Sequence, residues 1–292
     1  MDFAKLSKQF RQHGYGVVRE LFTPAEAAFY LDHFMALRQN GQYAHDLVNQ
    51  WDNDEQDPLK RYPRMFNMHH WDDVSREWLL DQRIKQCLVA MLNREPYAIQ
   101  TMLYFKPAGS RGQALHQDQY YLRARPGTSI AAWMALESID EANGCLQIVP
   151  GTQNLPLICP QKADQSESFT NISVPLPPGL SPIPMHLEPG DVLFFNGQIV
   201  HGSYPNITTD RFRRSLVGHY IEGHAEQVMA GDRPVLRMDG TIVEKIKASP
   251  DGGECGVWVD RDGTHLVDVN QIYHATANLE TVPIQNTDRN HE

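Results

Sequence analysis

The chain has 292 residues, 41% of them hydrophobic and 21% charged, with a formal net charge of −10. These proportions are ordinary for a globular protein with a large core, and no stretch approaches the ~18 consecutive apolar residues of a membrane-spanning helix. The acidic balance works against nucleic acid and anionic lipid, whose recognition needs a cationic patch, and favours a small-molecule partner.

In chain order, the opening Met1–Phe10 is charged and amphipathic, without the apolar stretch or cleavage site of a secretory signal, so a cytoplasmic location is expected. Thr23-Pro24-Ala25-Glu26 predicts a helix start: a capping threonine, a proline at the first helical position and a glutamate three residues after the cap. Ala27, Tyr30, Leu31 and Phe34 follow with the spacing of an apolar helical face. Trp78 to Leu92 predicts a second helix, which stops ahead of Pro96 because proline disfavours helix in the residue before it.

Between the helices, Asp46 to Asp73 reads as a long loop or broken helix. Its neighbouring His69 and His70 would point to opposite sides of an extended chain, so a surface or packing pair is predicted rather than a chelate. From Tyr97 the pattern changes to short strand-like runs between glycines and prolines: Tyr97–Phe105, Ser129–Leu136, Cys145–Val149, Asp191–Phe195 and Ser215–Ile221. That pattern predicts an antiparallel barrel or a double-sheet jelly roll. Asp239-Gly240, Asp251-Gly252 and Asp262-Gly263 then signal hairpins.

One domain over 1–292 is expected, with a helical part and loop to residue 96, a barrel core over 97–222 and a hairpin-rich extension over 223–292. Cys87, Cys145, Cys159 and Cys255 show no paired spacing, which predicts idle or buried thiols rather than a disulfide framework or a zinc knuckle.

The chemistry concentrates at His116-Gln117-Asp118. If this stretch is extended, its period of two puts the imidazole and the carboxylate on one face, with Gln117 pointing away. His201 supplies a possible third ligand. Two histidines and one carboxylate form the facial triad of non-haem iron(II) oxygenases, which leaves three coordination positions open. A His-x-Asp triplet alone is explained as well by an ordinary His–Asp hydrogen bond.

The surrounding motifs add to it. Lys106-Pro107-x-Gly109, His116-Gln117-Asp118, Trp133-Met134-Ala135-Leu136, Asn143-Gly144-Cys145-Leu146, Pro150-Gly151-Thr152 and His201-Gly202-Ser203 occur in the order found in the phytanoyl-CoA dioxygenase family. From Met102 to Tyr220 the chain resembles that family. The resemblance implies a mainly β fold with flanking helices, built on a double-stranded β-helix barrel of the jelly-roll or cupin type. It implies Fe(II) on His116, Asp118 and His201, with 2-oxoglutarate as cosubstrate and O₂ as oxidant.

The family's carboxylate-gripping arginine falls best on Arg213, because His219-Tyr220 then lies at the usual distance downstream; Arg214 is the alternative. Arg213, Ser215, Val217 and His219 would share one strand face. Ser203 matches a cosubstrate-contacting serine and Trp133 a pocket-lining position, while Gln100, Met102, Gln119, Tyr120 and Tyr121 can face substrate or pack. The implied activity is hydroxylation of an unactivated carbon of a small metabolite, with release of succinate and CO₂. Asp118 argues against halogenation, which in relatives accompanies a small residue at that position. A zinc hydrolase using the same ligands and a non-catalytic small-ligand barrel are the other two readings.

Overall fold

The computed structural model describes residues 1–41, 57–249 and a two-residue strand at 266–267. Eleven strands build two sheets: β1 (Tyr15–Val18), β2 (Met65–Phe66), β3 (Pro96–Tyr104), β4 (Gln113–His116), β5 (Ser129–Ala135), β6 (Leu146–Ile148), β7 (Ile183–Met185), β8 (Val192–Asn196), β9 (His201–Ser203), β10 (Ser215–Glu222) and β11 (Leu236–Arg237). The larger sheet runs β1-β8-β5-β10-β3-β11, with β2 also on β3, and the smaller runs β7-β6-β9-β4. Every pairing within them is antiparallel.

Alternation explains why these strands read as apolar runs. On β5, Ala131, Trp133 and Ala135 face the interior with Leu146, Ile148, Phe195 and Val217 from both sheets. Ile130, Ala132 and Met134 face the other way and pack under helices carrying Phe34, Trp78, Ile84 and Leu88. A strand covered on both faces needs apolar residues at every position, and each large side chain so buried contributes about 1.5–3 kcal/mol.

The helices are α1 (Phe3–His13), α2 (Pro24–Gln39), α3 (Pro58–Arg61), α4 (Asp73–Leu79), α5 (Gln82–Leu92) and α6 (Asp118–Leu122). α2 begins where expected: the Glu26 N–H donates to Thr23 Oγ1 at 3.2 Å, and the Thr23 N–H donates to Glu26 Oε2 at 2.8 Å. A hydrogen bond from Arg83 draws the Glu26 carboxyl down to about 2. Thr23→Ala removes half of this reciprocal cap and is expected to cost about 1 kcal/mol, read as a lower urea midpoint with an unchanged m-value.

The second expected helix is in fact two. Asp81 interrupts it, accepting from the Arg83 N–H at 2.7 Å and so capping α5 afresh. α5 ends at Leu92, and Asn93 takes a left-handed conformation (φ 55°) ahead of β3. Within the expected loop, residues 57–73 hold α3, β2 and a 3₁₀ turn at Met68–His70; residues 42–56 lie outside the described residues. β2 was not expected, and it edges β3 through Met65↔Leu103 and Phe66↔Met102.

His69 and His70 sit on a 3₁₀ turn rather than an extended chain, so their rings meet instead of pointing apart, with centroids 4.2 Å apart; His69 packs inward, its Nδ1 3.0 Å from Thr101 Oγ1, while His70 is exposed. Asp239-Gly240 makes a turn that closes an antiparallel bridge between Leu236 and Ile242. Asp251-Gly252, Asp262-Gly263 and Cys255 lie outside the described residues. Cys87 and Cys145 are free and buried as expected, but Cys159 is disulfide-bonded, against the expectation of idle thiols. Among the described residues, no helix is long and apolar enough to cross a membrane.

Candidate metal centre

β4 and β9 are neighbours in the smaller sheet, and their register sets His116 opposite His201. The extended stretch anticipated through Asp118 stops sooner, because β4 ends at His116 and Asp118 is the first residue of α6. Gln117 between them keeps extended angles (φ −121°, ψ 121°), so alternation still delivers both side chains to one side. Gln117 points away as expected: it donates to the Gln198 carbonyl at 2.8 Å and accepts from the Ile158 N–H at 2.8 Å.

His116, Asp118 and His201 each offer a ligand atom, all within 4.8 Å of one another. Asp118 Oδ1 is 3.4 Å from His116 Nε2 and 3.7 Å from His201 Nε2. His116 Nδ1 meets the Ala114 carbonyl at 2.9 Å, and His201 Nδ1 meets the Ile199 carbonyl at 3.1 Å. A ring nitrogen facing a carbonyl must carry the hydrogen, which leaves both Nε2 lone pairs aimed at the cluster. Burial alone would raise the Asp118 carboxyl, but His201, His116 and His219 beside it hold it well below the usual carboxylate range. Burial, reinforced by His116, pushes His201 down to about 4. An anionic Asp118 and a neutral His201 are the forms in which these two side chains ligate a divalent metal.

A cavity of about 540 Å³ opens from this cluster, and Arg213, Trp133 and His219 are on its wall. Arg213 is 2% exposed. Its Nε donates to the Gly144 carbonyl and its Nη1 to Ser215 Oγ, both at 3.0 Å, and the guanidinium carbon lies 5.3 Å from the Trp133 ring centroid. Arg214 goes elsewhere, held by a two-pronged ion pair to Glu137 at 3.0 and 2.8 Å. Ser203, matched to a cosubstrate-contacting serine, is buried but not on the cavity wall, and its Oγ accepts from Lys106 Nζ at 2.9 Å and from the Gln113 N–H at 3.2 Å.

The model of the family described as phytanoyl-CoA dioxygenase matches residues 10–215. The chain belongs to that family. The peroxisomal phytanoyl-CoA dioxygenase of Bos taurus is 34% identical over 140 residues, covering 45% of this chain and 41% of that one. The rice phytanoyl-CoA dioxygenase 1 is 26% identical over 156 residues, covering 53% and 55%. The matched stretch therefore spans about half the length of these curated relatives.

Solved structures share the fold. The epimerase SnoN, in complex with Fe3+, alpha ketoglutarate and nogalamycin RO, superposes with a TM-score of 0.61 at 21% identity, over 77% of this chain and 85% of its own. EctD from S. alaskensis, with 2-oxoglutarate and 5-hydroxyectoine, gives 0.59 at 21% identity over 75% and 76%. The two facing antiparallel sheets are thus the expected jelly-roll barrel.

Two residues of this family member escaped the sequence reading. Lys106 belongs to a recognised motif, but its contact with Ser203 joins positions that only the fold brings together. It is 2% exposed, and neither it nor Arg213 has a carboxylate partner among the described residues. Gly144 is what lets it lie there: at φ 89°, an added Cβ would collide with the Lys106 side chain and stand 2.8 Å from the Tyr204 carbonyl.

The second is His219, whose Nε2 lies 3.3 Å from Asp118 Oδ2. Strand alternation had put it on the face of Arg213, without assigning it a partner. His219→Leu is expected to weaken divalent-metal binding roughly 10–100-fold while the barrel stays folded, because the carboxylate loses the group that orients it. Calorimetric titration with Co(II) reads this directly. Of the other candidates, Gln100, Met102 and Tyr121 line the cavity. Gln119 instead packs, donating to the Ala124 carbonyl at 2.7 Å, and Tyr120 packs against Leu157 and Cys159.

Proposed function

We propose that the chain is an Fe(II)- and 2-oxoglutarate-dependent dioxygenase that hydroxylates an unactivated carbon of a small molecule, with release of succinate and CO₂. The observation that carries this reading is the convergence of His116, Asp118 and His201 within 4.8 Å, at the wall of a cavity that also presents Arg213. The two imidazole Nε2 atoms and the Asp118 carboxylate are the donor set suited to Fe(II), and three protein ligands leave room for cosubstrate and O₂. Iron, when bound, supplies the activation of O₂, one oxygen atom of which enters succinate and the other the substrate hydroxyl.

The protein's own groups do the rest. Arg213 spends its Nε and one Nη1 hydrogen on the Gly144 carbonyl and Ser215, which leaves its Nη2 edge to grip the distal carboxylate of 2-oxoglutarate. Ser203 keeps an uncommitted hydroxyl hydrogen, but it lies off the cavity wall, and its Oγ ties β9 to β4 by accepting from the Gln113 N–H as well as from Lys106. Arg213, a buried guanidinium on the cavity wall without a carboxylate partner among the described residues, suits an anionic cosubstrate, since an unpaired buried charge is costly. Trp133, 3% exposed, lies against the Arg213 guanidinium and keeps water from it. His219 holds Asp118 through its outer oxygen.

The family's name, a dioxygenase, favours oxygen insertion, as in hydroxylation, over the epimerisation named for SnoN. The test is succinate formation from 2-oxoglutarate by metal-stripped protein in air, with and without added Fe(II), over a panel of small metabolites. Succinate should appear only with Fe(II) and rise when a substrate is present. Fe(II)-independent turnover, or no succinate under any condition, would contradict the proposal.

A further inference from the structure

The cavity wall carries a second guanidinium that the cosubstrate does not use. Arg64, from the residue just before β2, lines the cavity opposite no acid: among the described residues it makes no ion pair, and Asp118 is the one carboxylate on the wall. Asp118 is already engaged by His116, His201 and His219. Arg64 is partly buried in an aromatic box, its guanidinium carbon 4.9 Å from the Phe66 ring centroid, 5.3 Å from Tyr104 and 5.3 Å from Phe169. Its Nη1 donates to the Tyr104 hydroxyl at 3.2 Å, which fixes the fork.

The Tyr104 ring also lies 5.7 Å from the Arg213 guanidinium carbon. Two like charges around one ring repel unless each meets an anion. Arg213 is matched by 2-oxoglutarate under the functional reading above, which leaves Arg64 unmatched. The remaining wall mixes apolar side chains, among them Met102, Leu146 and Val217, with the uncharged polar Gln100, Thr170 and Asn171.

We infer that Arg64 is the specificity-determining residue for the primary substrate, and that this substrate is a small molecule carrying one carboxylate. A guanidinium flanked by aromatic rings presents its remaining N–H donors in the planar fork that a carboxylate accepts two at a time. The surrounding rings stabilise the cation without neutralising it, so binding is completed by an anion. The single unmatched charge and the small cavity favour a monoanion over a polyphosphate.

This inference rests on the proposed dioxygenase reading, and the experiment keeps the two apart. Anaerobic protein is saturated with Fe(II) and 2-oxoglutarate, and the binding of 3-phenylpropanoate and of its uncharged amide is then measured by calorimetry in wild type, Arg64→Gln and Arg64→Lys. Wild type should bind the acid about tenfold or more tightly than the amide. Arg64→Gln should erase that preference, and Arg64→Lys, which keeps the charge without the fork, should keep part of it. Equal affinities in wild type, no binding of the acid, or a preference that survives in Arg64→Gln would overturn the inference. The wild-type comparison decides even if Arg64→Gln misfolds, because it needs no variant. If wild type does not bind 2-oxoglutarate at all, the dioxygenase reading fails and this inference with it.

Discussion

Alanine at His116, Asp118 or His201 is expected to abolish Fe(II)-dependent succinate formation. Each substitution leaves two protein ligands where three are needed to hold the ion against water. The loss in metal affinity should exceed the roughly 10–100-fold that follows when only an orienting partner such as His219 is removed. The fold should persist, because the triad side chains meet one another at the cavity and the barrel is held by apolar layers on both faces of the larger sheet. Metal affinity by calorimetry, with thermal unfolding as the control, reads both consequences. Near-normal affinity in any one variant would remove that residue from the set.

The second large effect separates two adjacent arginines. Arg213→Ala should weaken 2-oxoglutarate binding by about 10²–10⁴-fold, since two charge-assisted hydrogen bonds of about 1.5–3 kcal/mol each are lost. Arg214→Ala should leave that affinity unchanged and cost about 1 kcal/mol of stability. Its ion pair with Glu137 is two-pronged but partly exposed, at 17% and 22% of the two side chains, which limits its worth. The opposite pattern would mean that the chain enters β10 one residue out of the register described here.

The site was legible in the sequence to the extent that local alternation decides it. His116 and Asp118 share a side because Gln117 is extended, and Arg213, Ser215 and His219 follow the same rule into β10. The conclusion about His116 and Asp118 held although the strand does not: α6 starts at Asp118, and the period of two needs only one extended residue between the pair. The family resemblance favoured Arg213 over Arg214, and the structure puts Arg213 on the cavity wall while Arg214 pairs with Glu137.

What stayed hidden depends on distant pairing. Lys106 reaches Ser203 only because the turn after β3 lies against β9, and Arg64 joins the cavity only because β2 edges β3 in a segment that reads as loop. The break between α4 and α5 was obscured because Trp78, Leu79, Leu80 and Ile84 keep apolar spacing across it. Asp81 carried the local signal, a capping residue before a new turn. The bonded state of Cys159 was beyond spacing arguments, since connectivity is a property of the folded chain.

The central claim is that three side chains hold one Fe(II), on which 2-oxoglutarate then closes. Its most direct test is an anaerobic calorimetric titration of metal-free wild type with Fe(II) and then 2-oxoglutarate, set beside a titration with 2-oxoglutarate alone. The account predicts one Fe(II) per chain, one 2-oxoglutarate per bound iron, and much weaker cosubstrate binding without the metal. No stoichiometric iron, or 2-oxoglutarate binding equally tightly with and without it, would contradict the account.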